Sequence, residues 1–159
     1  MHSKRQIALA LIGESRVGKT TIIKLLDENA ESRGTSYQIE TEDIVYTAWE
    51  LQTSSSEPQR LAVFATSFLK NSPEFDRFVI IVSDSSKEDV NKIKYSLKFL
   101  RQTFPDTRFA IIANKQDVPG ALSPSQVKSI LGIETHGLTA INPTCKQTLF
   151  KILQQKFSS

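Results

Sequence analysis

This sequence predicts a three-layer α/β domain, a mostly parallel sheet flanked by helices. Continuous apolar runs at Ile7–Ile12, Phe78–Val82 and Phe109–Ala113 suit strands buried on both faces. Segments with helical periodicity lie between them, and a glycine loop joins the first run to the first helix. Strands that alternate with helices need crossover connections, and these generate a parallel sheet covered on both sides. With 159 residues, 39% of them apolar, and no internal repeat, residues 1–159 are expected to form one domain.

Each element has its own local reason. After Gly13, residues Ile22, Ile23, Leu25 and Leu26 recur at helical spacing. Tyr37, Ile39 and Thr41 alternate with polar neighbours. Ile44–Leu51 carries Val45, Tyr46, Trp49 and Leu51, so Glu42-Asp43 between the two segments predicts a hairpin turn. The polar tract Thr53–Pro58 predicts a loop, and Leu61–Leu69 a helix that ends by Pro73. In the clearest helix, Val90, Ile93, Leu97 and Leu100 follow one another at intervals of three, four and three, behind a capping box of Ser86 and Asp89. Ser123-Pro124-Ser125-Gln126 starts another helix, with proline at its favoured first position. Leu138–Asn142 is expected to be the last strand, and Leu149, Phe150, Ile152, Leu153 and Phe157 a closing helix.

Composition excludes several classes of function. Twenty basic and 17 acidic residues leave a net charge of +3 with no block of like charges, so no electrostatic case for a nucleic-acid partner arises. The single cysteine, Cys145, excludes an intramolecular disulfide and a cysteine-rich zinc site. His2 and His136 are too far apart in sequence to suggest a metal cluster. The run Ile7–Ile12 is too short to span a bilayer or to act as a signal peptide, so the expectation is a soluble, cytoplasmic, monomeric domain.

Gly13-Glu14-Ser15-Arg16-Val17-Gly18-Lys19-Thr20, followed by Thr21, satisfies G-x-x-x-x-G-K-[ST] between a strand and a helix, the context a phosphate-binding loop (P-loop) requires. Glycine lets the backbone approach phosphate closely, and successive N–H groups converge on it at the positive end of the helix. Lys19 would reach the β- and γ-phosphates, and the Thr20 hydroxyl would coordinate Mg²⁺. Ser15 and Arg16 lie inside the loop; Arg16 could touch phosphate or a partner, but a solvent-pointing side chain is expected.

Asn114-Lys115-Gln116-Asp117 follows the strand Phe109–Ala113, at the carboxyl end where α/β sheets bind ligands. An ionised Asp117 only accepts hydrogen bonds, and guanine offers it two adjacent donors, the ring N1–H and the exocyclic amine. Adenine places an acceptor at the matching ring position and would leave the carboxylate unpaired, at a cost of several kcal/mol, on the order of the penalty behind strong discrimination. The Lys115 stem could lie over the purine. Thr144-Cys145-Lys146 sits after the expected last strand, where a backbone N–H could face guanine O6; alternatively Thr144 caps a helix beside a small buried cysteine. A nucleotide kinase would need no such base motif.

Together these motifs resemble the Ras-like small GTPase superfamily, and their details are similar to its Arf branch. Ala113-Asn114-Lys115-Gln116-Asp117-Val118-Pro119 with Ala121 resembles that family's A-N-K-Q-D-L-P-x-A. Trp49-Glu50 resembles its Trp-Asp at switch II, and Thr144-Cys145 its A-T-C-A loop. The resemblance implies a P-loop NTPase fold of the Ras-like G domain type, with a six-stranded sheet containing one antiparallel strand. It also implies GTP and GDP as ligands with Mg²⁺, and effector, exchange-factor and GTPase-activating partners. The departures are as informative. Glu50 could keep the aspartate's role with one extra methylene. Thr53 stands at the γ-phosphate-sensing glycine and Ser54 at the water-positioning glutamine; Gln52 and Gln59 are nearby substitutes with unmatched spacing. Turnover is therefore expected to be slow, or to be lost in a scaffold subunit. Thr35 is the candidate switch I threonine for Mg²⁺, although counting back from Glu40-Thr41 places Gly34 there. His2 replaces a myristoylated glycine, and Lys156-Phe157-Ser158-Ser159 is no prenylation signal, so no intrinsic lipid anchor is expected.

Tyr37, Trp49 and Phe68 could form an effector-binding aromatic patch, but core packing under the switch region is favoured. Lys87, Lys94, Lys98 and Arg101 line one stripe of the clearest helix; they could form a partner-binding strip, but a solvated face is favoured. His136 is expected in a turn.

Overall fold

A computed structural model describes residues 3–33, 36–52, 63–66, 68 and 75–157. Its strands are β1 (Arg5–Gly13), β2 (Ser32–Arg33), β3 (Ser36–Glu40), β4 (Ile44–Gln52), β5 (Asp76–Ser83), β6 (Arg108–Ala113) and β7 (Thr135–Gly137). The helices are α1 (Lys19–Leu26), α2 (residues 63–66 and 68), α3 (Lys87–Thr103), α4 (Pro124–Leu131) and α5 (Lys146–Phe157). The strand order is β2-β3-β4-β1-β5-β6-β7. Among the described residues five of the six expected strands are present where the sequence places them, the sixth lies earlier than expected, and the two-residue β2 adds a seventh at the edge. β3 pairs antiparallel with both β2 and β4, while β1 pairs in parallel with β4 and β5, and β6 with β5 and β7. The lone antiparallel strand follows from the hairpin: Glu42-Asp43 is its turn, closed where the Thr41 N–H donates to the Ile44 carbonyl at 2.8 Å.

The strictly apolar central strands are explained by the two layers they support. Phe78, Ile80 and Val82 face α1 and α5, together with Tyr46, Ala48, Ile22, Leu149 and Leu153. Val79 and Ile81 face α2, α3 and α4, together with Val90, Leu100, Val127 and Leu131. Trp49 lies on this second face and meets Phe68 edge-on at 5.7 Å, while Phe68 meets Phe104 at 6.0 Å. Core packing therefore accounts for Trp49 and Phe68. Tyr37 packs on the opposite face, so the three aromatic residues do not form one patch.

Three expectations are corrected. The last strand is Thr135–Gly137, not Leu138–Asn142, and His136 lies in it rather than in a turn. The ladder stops where its partner stops: Ala113↔Gly137 is the final pair, and beyond it Asn114 leads β6 into a loop. The Leu138 N–H still donates to the Ala113 carbonyl at 3.0 Å. The capping box at α3 is only half formed. Ser86 accepts from the Asp89 N–H at 3.1 Å, but the Asp89 side chain turns to Ser83 and to the Asp84 backbone. At α4 both halves are present, between Ser123 and Gln126.

The turn of Asp89 inward has an energetic consequence. The residue is 6% exposed, and its Oδ2 has no hydrogen-bond partner among the described residues. Burial pushes its carboxyl above the usual range, with Asp84 and Glu14 adding repulsion against bonds from Ser83 and Asp84. A raised folded-state pKa favours folding below the unfolded value, and that gain is lost as pH rises through the folded value. Asp89→Asn should therefore stabilise the domain near pH 7.5 by about 1–2 kcal/mol, or about 3–6 °C in Tm. The difference should close near pH 4, and thermal melts across that range check it.

Tyr37, Trp49 and Phe68 aside, the stripe Lys87, Lys94, Lys98 and Arg101 is exposed on α3. Tyr95, 88% exposed, and Phe99, 42% exposed, lie on the same helix. The expected helix Leu61–Leu69 appears in its described residues 63–66 and 68; its ends, Pro73 and the tract Thr53–Pro58 lie outside the described residues. No helix among the described residues is long and apolar enough to cross a membrane.

Candidate functional site

β1 delivers the loop. Gly13 ends the strand against β5, where a Cβ would lie 2.6 Å from the Val82 carbonyl oxygen. Ser15 and Arg16 are exposed, the latter as expected, and Arg16 has φ 66°. Val17 is buried beneath the loop and anchors it to the core beside α1. Gly18 has φ 108°, and a Cβ there would sit 2.3 Å from Asn114 Nδ2. Conformation and space thus both demand glycine at Gly18.

Lys19, the first residue of α1, is 8% exposed, and its ammonium donates to the Gly13 carbonyl at 2.9 Å and the Glu14 carbonyl at 2.6 Å. Burial lowers its pKa, and the charges of Glu50, Glu14 and Asp89 work against that lowering. Thr20 is exposed, and its hydroxyl donates to Glu50 Oε1 at 2.5 Å. Glu50 lies near the end of β4, the strand paired with β1.

The base motif sits beside this loop. Asn114 is 2% exposed. Its Nδ2 donates to the Val17 carbonyl at 2.9 Å, and its Oδ1 accepts from the Ala140 N–H at 2.9 Å. One amide therefore ties the P-loop to the loop after β7. Lys115, at φ 60°, sends its ammonium to the Arg16 carbonyl, so its stem runs across the gap between the two motifs. Gln116 Nε2 donates to Ser85 Oγ at 2.9 Å and the Leu122 carbonyl at 3.0 Å, a supporting rather than ligand-facing position. Asp117 is exposed within a turn closed by the Val118 N–H on the Lys115 carbonyl at 3.0 Å.

Thr144 and Cys145 belong to a short 3-10 helix, and Lys146 begins α5. The cap of that turn is Asn142, which accepts from the Thr144 N–H at 3.1 Å and its hydroxyl at 2.8 Å. The residue that joins the base motif is Ala140, which falls within the expected strand Leu138–Asn142. The Asn142-Pro143 pair, a turn-initiating dipeptide, is the signal that could have ended that strand earlier. Gln52 is exposed at the end of β4, in register with Gly13. Thr35 and Gly34, along with Thr53, Ser54 and Gln59, lie outside the described residues.

The donor set by Thr20 suits Mg²⁺, which prefers a hydroxyl and one or two carboxylates completed by water and phosphate oxygens. The adjacent Thr20 hydroxyl and Glu50 carboxylate supply that chemistry. Among the described residues no group of three or more His, Cys, Asp or Glu could cage a metal without phosphate.

A glycine loop carrying Lys19 and Thr20 at the end of β1, with an Asn-Lys-x-Asp loop at the end of β6, is the plan of a P-loop protein of the Ras-like G domain class. Residues 1–156 match the model of the ADP-ribosylation factor family. The chain is 30% identical over 142 residues to ADP-ribosylation factor-like protein alp41 of Schizosaccharomyces pombe, covering 84% of this chain and 72% of that protein. It is 27% identical to ADP-ribosylation factor-like protein 2 of Dictyostelium discoideum, over 82% of this chain and 72% of that one. It is 25% identical to ADP-ribosylation factor-like protein 2 of Arabidopsis thaliana, over 83% and 72%. The chain belongs to the ADP-ribosylation factor family, whose members are GTP-binding small GTPases that work with regulators and effectors.

Proposed function

We propose that this chain is a switch that alternates between GDP and GTP, and that Thr20 is the residue that would hold the Mg²⁺ accompanying the nucleotide. The observation that carries the reading is the Asn114 amide, which joins the P-loop at Val17 to the base-side loop at Ala140. The join lets one ligand that spans phosphate and base sense both loops. Residues Gly13 to Thr21 would cradle the phosphates, with Lys19 exchanging the Gly13 and Glu14 carbonyls for phosphate oxygens. Asp117 would accept from guanine N1–H and its amine, with the Lys115 stem over the ring. The Ala140 loop and the Thr144-Cys145-Lys146 turn would flank the O6 edge.

Bound Mg²⁺ would neutralise charge on the β- and γ-phosphates. Lys19 and the loop N–H groups would stabilise the charge that develops in hydrolysis. Slow turnover is the expected consequence of Ser54 at the glutamine position, since serine cannot orient an attacking water in the same way. Gln52, in register with Gly13, has its backbone beside the P-loop but an exposed side chain. An arginine from a GTPase-activating partner would supply missing charge stabilisation. The second reading, a scaffold that binds GTP without cleaving it, rests on the same substitutions at Thr53 and Ser54.

Chromatography of the nucleotide released from purified protein should give GDP or GTP. Adenine nucleotides held as tightly as guanine nucleotides would overturn the reading. Single-turnover hydrolysis should be Mg²⁺-dependent, with a rate on the order of 10⁻⁴–10⁻³ s⁻¹ or below, and Lys19→Ala should abolish it. GTP bound and left intact over hours would select the scaffold.

A further inference from the structure

We propose that Tyr37 is a positioning residue for the Mg²⁺ site, holding the over-long Glu50 side chain in place against Thr20. The inference rests on the reading of Thr20 and Glu50 as that site. It starts from register. Tyr37 pairs with Ala48 across the β3–β4 hairpin, so its side chain shares a sheet face with Ala48 and with Glu50, two residues farther along β4. That diagonal spacing is within reach of a long aromatic side chain. The Tyr37 hydroxyl meets the Glu50 carboxylate, which also accepts from Thr20 at 2.5 Å. Three elements, β3, β4 and α1, thus converge on one carboxyl group.

Glutamate is one methylene longer than aspartate and has one more rotor to fix, and ordering that side chain costs rotamer freedom. A second donor offsets that cost by selecting the rotamer that points to Thr20. A phenol is protonated at neutral pH and so can donate. With one donor from each side, the carboxylate retains lone pairs for the water shell of a metal at Thr20. An aspartate at Glu50 would be drawn back from the hydroxyl and would not need it.

The test is the Mg²⁺ concentration that half-maximally slows release of a fluorescent GDP. Tyr37→Phe, which removes only the hydroxyl, should raise it about 5–10-fold while the release rate in EDTA changes less than twofold. In a Glu50→Asp background the same substitution should add nothing. Circular dichroism melts check that each variant is folded. An unchanged midpoint in Tyr37→Phe, with a shifted one in Glu50→Gln, would overturn the proposal and leave the metal-site reading standing. An equal shift from Tyr37→Phe in both backgrounds would also overturn it, since the effect would then not pass through Glu50. A midpoint that Glu50→Gln leaves unmoved would remove the metal-site reading itself.

Discussion

Asp117→Asn should weaken GDP binding about 10²–10³-fold and make xanthosine diphosphate the preferred ligand. The carboxylate of Asp117 presents only acceptors to the two adjacent donors of guanine. Charge-assisted hydrogen bonds contribute about 1.5–3 kcal/mol each, so loss of the charge and of one acceptor costs about 3–4 kcal/mol. Asparagine keeps one acceptor but turns an NH₂ donor toward guanine's own amine. Xanthine carries an oxo group where guanine carries that amine, so the new donor finds an acceptor. Asp117 is exposed in a short turn, and substitution at such a position shifts stability by within about 0.5 kcal/mol. The loss would therefore be one of recognition. Competition of unlabelled nucleotides against a fluorescent analogue measures it. A GDP affinity changed less than about threefold would mean that Asp117 does not touch the base.

What could be read from the sequence depended on whether the deciding contact was local. The P-loop and the Asn-Lys-Gln-Asp loop were legible because their chemistry is compressed into eight and four neighbouring residues after apolar strands. The β3–β4 hairpin was legible because period-two alternation flanks a two-residue turn. The strand β7 was not, since Thr135–Gly137 carries no alternation and is a strand only because β6 lies alongside. The inward turn of Asp89 was equally hidden, because a capping box predicts an outward reach and the competing Ser83 hydroxyl is six residues away. The role of Ala140 escaped for a further reason. An alanine offers only its backbone, and the Asn114 side chain that claims that N–H lies 26 residues earlier.

That same contact predicts the largest effect on stability. Asn114→Ala should lower the unfolding free energy of the nucleotide-free domain by about 2–5 kcal/mol, because it strands the Val17 carbonyl and the Ala140 N–H together. Each buried polar group left unpaired costs about 1–3 kcal/mol. Both bonds are 2.9 Å long and buried. For a domain of this size the expected fall in Tm is about 5–15 °C. Asn114→Asp separates the two tethers. It keeps an acceptor for Ala140, but it sets a carboxylate oxygen against the Val17 carbonyl, so it should destabilise at least as much as alanine despite its matching volume. Bound ligand stabilises by RT ln(1 + [L]/Kd). If Asn114 couples phosphate to base, the gap between wild type and Asn114→Ala should widen as GDP is added, because the variant binds GDP more weakly. Urea unfolding at several GDP concentrations measures that widening. A gap that stays constant would mean that the amide supports only the fold, and that the two loops bind their ends of the nucleotide independently.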